Sequence, residues 1–435
     1  MKSPTNKVVL LAVLGGSALG VLAFVGFRVL QTQNPEDEFE RVKAQAIRAG
    51  LPLTPEEIVP QPPIDPQDNA APLLTPILKR LRGNSSQSAD IFRRMREGDF
   101  TGALASGAEE FKLLDEAEPG LAKARLDFKR DYSRGAKLLF PEFASLKYLS
   151  QLAVARSKIC AAQGNQREAI LYLRQGHRIE NLFRDEYTII GHLVGIFVGQ
   201  TTNRGYRDLA ITWRGNEEKL LALADSFDPP EPASFERTVK TETMLMFQTI
   251  LNEFKPETVE AKPAERRLGQ RAAIILLTEA LKDLETIQKS GNDILEVTRE
   301  MQSRSEQLES QVLHKPKERF ISFLRPVYDQ IGKAIVELAA DKSLTEAYLQ
   351  VMLFEAETGR WPKSLEEAGV TEADPISLQP LRYRADTNGF RLWSVGGDQN
   401  DDNGATLNEI KAKNRPSPPP REERGDLVAG YPPPR

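Results

Sequence analysis

The chain reads as a mainly α-helical protein in three unequal parts. An N-terminal transmembrane helix comes first, then a multi-helix body built of helical hairpins, then a small C-terminal α+β unit with a β-meander. Three observations predict this. Residues 8–27 form a run of 20 positions without a charge. From 89 to 314 apolar residues recur every three to four positions, the period of a helix with one buried face. Around 381–394 the period drops to two, and Asn388-Gly389 stands between the alternating stretches, a strong hairpin signal.

Composition bounds the rest. With 435 residues the chain is long enough for two or three domains and a sizeable core. Its 58 basic and 62 acidic residues give a formal net charge of −4, whereas a dedicated nucleic-acid binder normally carries a basic surplus. No nucleic-acid partner is therefore expected. One cysteine, Cys160, excludes an intrachain disulfide, and its apolar helical setting reads as a small buried hydrophobe. Three histidines leave little material for His-based catalysis or metal clusters.

Taken in order, residues 1–34 are the anchor. The run 8–27 suffices to cross a hydrocarbon core of about 30 Å. Lys2 and Lys7 precede it and Arg28 follows, which favours a cytoplasmic N-terminus and a periplasmic bulk on a single-pass inner-membrane protein. A cleaved signal peptide is the competing reading, but Phe24 and Phe27 prolong the apolar run past Val21-Leu22-Ala23. Residues 35–88 read as a helical stalk followed by a Pro-rich linker holding Pro60, Pro62, Pro63 and Pro66, with Asp68 or Asn69 capping a helix that reaches Arg82.

Residues 89–342 form the helical body. Helices at 148–162 and 167–183 are joined by Gln163-Gly164-Asn165-Gln166, a turn that resembles that of a tetratricopeptide repeat. One copy makes a hairpin and not an array. The apolar run 187–198 is too short to span a bilayer and reads as a central core helix. Pro229, Pro230 and Pro232 break the chain before a helix at 235–254, and a long polar-faced helix from 272 to 312 is broken at Ser290-Gly291. The basic stretch from Lys123 to Lys137 is interrupted by Asp127 and Asp131 and reads as a solvated helix face. Residues 343–413 form the α+β unit, and 414–435, rich in Pro, Arg and Glu, reads as a disordered tail.

No phosphate loop, dinucleotide fingerprint, zinc-protease motif or nucleophile elbow occurs. His177 and His192 lie in apolar helical stretches and read as packed side chains. One loop stands out. Asp398, Asn400, Asp402, Thr406 and Glu409 fall at positions 1, 3, 5, 9 and 12 of a twelve-residue segment, and Gly404 offers a carbonyl at position 7. That is the oxygen spacing of an EF-hand calcium loop, so Ca²⁺ is the expected cofactor, in a structural role. Asn403 stands at position 6, where glycine is usual; asparagine tolerates the left-handed backbone required. The bland alternative is an acidic turn-rich loop without metal.

The C-terminal residues carry a resemblance. Thr358-Gly359-Arg360-Trp361-Pro362, Asp374-Pro375, Ser394-Val395-Gly396-Gly397-Asp398 and Glu409-Ile410 follow one another in the order seen at the periplasmic end of the major pseudopilin of type II secretion. The region from about 348 to 410 resembles that family, which implies a periplasmic location and calcium at the same loop. The resemblance covers about a fifth of the chain. A pilin carries its apolar segment after a processed glycine, whereas here the apolar run precedes Gly26-Phe27. The whole is more similar to a bacterial membrane-anchored protein with a helical middle and this tail. The expected function is a membrane-anchored periplasmic scaffold or protein-interaction protein, associated with an envelope or secretion assembly. Its partners would be the membrane, through the N-terminal helix, and an unidentified protein. The alternative is a periplasmic hydrolase using scattered carboxylates such as Asp185 and Glu186 near His192.

Overall fold

The computed structural model describes residues 35–59, 63–82, 85–254, 263–291, 293–313, 328–397, 399–413 and 426–433. The apolar run 8–27, and the topology read from its flanks, lie outside these residues. Among the described residues no helix is long and apolar enough to cross a membrane.

Helix follows helix: α1 (Pro35–Arg48), α2 (Ala71–Leu81), α3 (Ser85–Glu97), α4 (Phe100–Ser106), α5 (Ala108–Leu121), α6 (Pro141–Ala162), α7 (Gln166–Leu182), α8 (Ile189–Thr212), α9 (Glu217–Asp225), α10 (Phe235–Phe254), α11 (Pro263–Ser290), α12 (Ile294–Leu313) and α13 (Tyr328–Thr358). Local chemistry sets their ends. Pro141 opens α6, where its missing N–H costs nothing. The Thr188 hydroxyl accepts the Gly191 N–H at 3.1 Å and caps α8. The Asn216 side chain does the same for α9 through the Lys219 N–H at 3.0 Å. The break expected at Ser290-Gly291 separates α11 from α12, with Gly291 at φ +58°. The N-cap of α2 is Ala70 and not Asp68 or Asn69 as expected; the Asn69 side-chain oxygen accepts the Ala71 and Asp127 N–H groups, and its amide donates to the Asp127 carbonyl.

Buried side chains gather into two main cores. The first includes Leu74 of α2, Leu114 of α5, Leu146 and Leu149 of α6, Leu173 of α7 and Tyr206 of α8. The second joins Phe39 and Val42 of α1 to Phe247 of α10, Leu277 of α11 and Met301 of α12. The stalk read at the start of the described chain is thus no free stalk. Its apolar positions Phe39, Val42 and Ala46 are buried, and sealing a side chain such as Phe39 contributes about 1.5–3 kcal/mol. The basic stretch also differs from expectation: residues 124–131 form no helix, with Arg125 in an isolated bridge to Asn69 and Lys129 at φ +51°, and a short 3₁₀ turn (Tyr132–Lys137) follows.

Helix α8 runs between the cores because glycine lets it. A Cβ at Gly195 would lie 2.9 Å from the Phe183 Cβ, and one at Gly199 would lie 2.8 Å from the Glu180 carboxyl carbon and 2.9 Å from a Leu338 methyl. Helix α13 ties the molecule together. Ile331, Ile335 and Leu338 sit in the second core, while Leu344, Leu349 and Met352 sit in the first. The boundary read at 342/343 therefore falls inside one continuous helix of 31 residues.

The C-terminal sheet packs on the end of α13, with the Tyr348 and Phe390 rings 5.2 Å apart. Its strands β1 (Arg382–Asp386), β2 (Gly389–Ser394) and β3 (Leu427–Tyr431) are antiparallel in the order β1-β2-β3. The tail predicted to be disordered supplies β3. Composition averages over 414–435 and hides a five-residue strand that finds its partner in the open edge of β2. The hairpin is real, but Asp386 pairs with Gly389, so Thr387 and Asn388 make the turn. Gly389 answers a different need: a Cβ there would lie 1.7 Å from the Tyr431 carbonyl oxygen of β3.

Candidate functional site

The loop after β2 holds most of the residues nominated as calcium ligands. Asp398 lies outside the described residues. Asn403 has φ +58°, the left-handed backbone expected at position 6, and Gly404 follows at φ +76°. Three of the donors, Gly404, Thr406 and Glu409, are engaged with protein groups. Arg391 of β2 donates to the Gly404 carbonyl at 2.7 Å and to Glu409 at 2.6 Å. The second Glu409 oxygen accepts the Thr406 N–H at 2.8 Å, and the Thr406 hydroxyl accepts the Glu409 N–H at 3.3 Å. This reciprocal pair is a capping box, and it starts α14 (Leu407–Lys413). Burial works against the Glu409 charge, but the Arg391 and Thr406 hydrogen bonds outweigh it and hold the carboxyl below its usual range.

Asp426 closes the loop from the other side. It accepts the Gly404 N–H at 2.7 Å and the Asp402 N–H at 3.2 Å, and its own N–H donates to the Ala405 carbonyl. Asp401 is turned to the Trp393 indole N–H at 3.0 Å. A guanidinium thus bridges two of the six nominated donors, in the place where the cation was expected. A cation taking both Gly404 and Glu409 would have to displace Arg391 from them. Among the described residues no three His, Cys, Asp or Glu side chains are grouped to hold a metal.

The alternative site, around Asp185, Glu186 and His192, is buried at the start of α8. The Asp185 carboxylate pairs with Arg125. One Glu186 oxygen accepts the Thr188 hydroxyl at 3.2 Å, and the other lies 3.8 Å from the Arg130 guanidinium. Glu242, on α10, accepts the Ile189 N–H at 2.7 Å. Burial pushes the Glu186 carboxyl up to about 7 against the pull of Arg130 and Thr188. It pushes Glu242 up to about 7 as well, with the Glu186 charge adding to the effect. Arg130 sits among the rings of Phe128, Phe140 and Phe143, each centroid 4.8–4.9 Å away, and also reaches Glu142 at 3.0 Å. His192 turns one ring nitrogen to the Thr238 hydroxyl at 2.9 Å, and burial holds it neutral, down to about 4.

The nearby cleft of about 400 Å³ lies between α1 with its following elbow and α10, and Ile47, Leu51, Pro52, Ile58, Arg237 and Lys240 line it. Neither Glu186 nor Glu242 does. Lys240 is paired with Glu236 at 2.7 Å, and Arg237 lies over the Tyr187 ring. The packed reading of the remaining groups holds: His177 stacks on Tyr206 at 5.2 Å, and burial raises the Cys160 thiol to about 11, far from a nucleophile.

Sequence reasoning missed Arg391, Asp426, Arg130 and Glu242. Two left a signal. Thr406-Leu407-Asn408-Glu409 is a capping-box pattern, and Glu242 interrupts the apolar stripe of Phe235, Val239 and Met246. Comparison with family models, curated proteins and solved structures gives no match for the chain.

Proposed function

We propose that the protein is a membrane-anchored periplasmic scaffold that holds a protein partner in an envelope or secretion assembly. The observation that carries this is α13, which passes through both cores and ends under the C-terminal sheet. Such a helix is a stiff mount: it presents a terminal module at a fixed distance and angle from the part of the chain nearest the anchor. Three further points support the reading. The uncharged run 8–27 follows Lys2 and Lys7. Helix α1, which comes soon after that run, is packed into the second core. The order of elements after Thr358 resembles that of the type II pseudopilin.

The experiment is recovery of the tagged full chain from native membranes after crosslinking. One reproducible protein partner is the expected result. Recovery of the chain alone, at several crosslinker lengths, overturns the proposal. A reporter fused after Arg82 tests the topology, and activity confined to the cytoplasm reverses it. The hydrolase reading has one observation in its favour, the two buried carboxyls raised to about 7. It requires that Glu186→Gln abolish a measurable hydrolysis while the fold persists.

A further inference from the structure

We propose that Glu186 and Glu242 form a pH-sensitive latch between the second core and the start of α8, closed when the pair holds a proton and loosened when both are charged. The two carboxyls come from different parts of the fold. Glu242 stands on α10 among second-core residues and accepts the N–H of Ile189, the first residue of α8. Glu186 stands just before α8 and is folded over its first turn. A Cβ on Gly191 would lie 2.2 Å from the Glu186 Cγ, so the Glu186 stem packs directly on the backbone of that turn.

The charges around the pair do not balance. Among the described residues, Arg130 is the cation placed against Glu186, and it is shared with Glu142. Asp127 and the phenols of Tyr132 and Tyr187 lie on the same side, and the Asp127 charge opposes ionisation of Glu186. From α10, Thr238 presents a hydroxyl to His192, which is neutral and supplies no positive charge. The N-terminus of α8 contributes roughly half a positive charge. Glu142 is also held by Arg82 at 3.3 Å, so four carboxylates (Asp127, Glu142, Glu186 and Glu242) face two guanidiniums and a helix end around a water-poor seam. One proton on the Glu186–Glu242 pair relieves the excess while Glu242 still accepts from Ile189.

The sign follows from the direction of the shift. Both folded carboxyls titrate above the ordinary value of 4.5, so the closed seam binds the proton more tightly than an opened one. The contribution of each group is fully present below about 4.5 and is lost as the pH rises through about 7.

Hydrogen exchange of the full chain, read at residues 189–192 and corrected for intrinsic rates, tests the latch. Protection there is expected to fall roughly 10- to 100-fold between pH 5 and pH 8. Glu242→Gln keeps the acceptor but cannot ionise, so its protection should vary with pH much less, and Glu186→Gln should behave alike. A flat wild-type profile overturns the proposal without any variant. So does an undiminished fall in either folded variant.

Discussion

Arg130 shows what one residue controls. Its side chain is 6% exposed, and its guanidinium lies among three phenylalanine rings and reaches two carboxylates. Arg130→Met keeps the stem's packing but leaves Glu186 without its cation, while Glu142 retains Arg82. Breaking a buried pair in this way costs about 3–5 kcal/mol. Urea unfolding should show the loss, and the loss should be larger at pH 8 than at pH 5, because Glu186 can take up a proton at the lower pH. Arg391 is the second case. Arg391→Gln removes charge-assisted bonds to Gly404 and Glu409 and should cost about 1.5–3 kcal/mol. In the wild-type chain, millimolar Ca²⁺ should leave the melting midpoint unchanged. A clear rise with Ca²⁺, absent with Mg²⁺, would show that the cation displaces the guanidinium.

Among the elements, α8 and β3 make opposite demands. Helix α8 needs smallness on one face, and Gly199→Ala would force a methyl against Glu180 and Leu338. Overpacking of this kind costs about 1–3 kcal/mol, more than the helix propensity gained. A lowered melting midpoint checks it. Strand β3 needs a partner, and it also gives one. Tyr431 meets Trp361 at 5.8 Å, and Arg214, from the turn after α8, lies over both rings and pairs with Glu355 of α13. Truncation after Lys413 deletes β3 and Asp426 together. It should expose the β2 edge and the Phe390–Trp361 cluster, read as faster exchange at the β2 amides and as aggregation on warming.

On the scale of the molecule, α13 makes the two cores and the sheet one mechanical unit. Ser343→Pro breaks the helix between them at a cost of about 3 kcal/mol or more. Unfolding of the wild type should be a single transition across the described body, and the variant should show two. The same variant should also weaken recovery of the protein partner if the sheet is the module that α13 presents.

The sequence by itself determined the helical class and several helix ends, since period, proline, glycine and cap residues act within a few positions, although α6 and α11 begin earlier than the expected 148 and 272 and α8 runs on from the expected 187–198 to Thr212. The helix at 235–254, the break at Gly291, the α6–α7 hairpin and the two antiparallel strands around Asp386-Thr387-Asn388-Gly389 were all legible. Packed His177, His192 and Cys160 were legible too, because an apolar stripe at helical spacing marks a buried face. Only the tertiary structure decided which groups satisfy which. Thr406 and Glu409 suit both a cation and a capping box, and nothing in their spacing shows the contacts made to this loop by Arg391, a strand away, and Asp426, in a tail whose composition argues for disorder. Glu242 is separated from Glu186 by 56 positions, and nothing local brings them together; desolvation and unbalanced charge arise when α10 closes on α8. Local preferences are written in neighbouring residues, whereas the electrostatics of a buried seam depend on what distant parts of the chain remove from water.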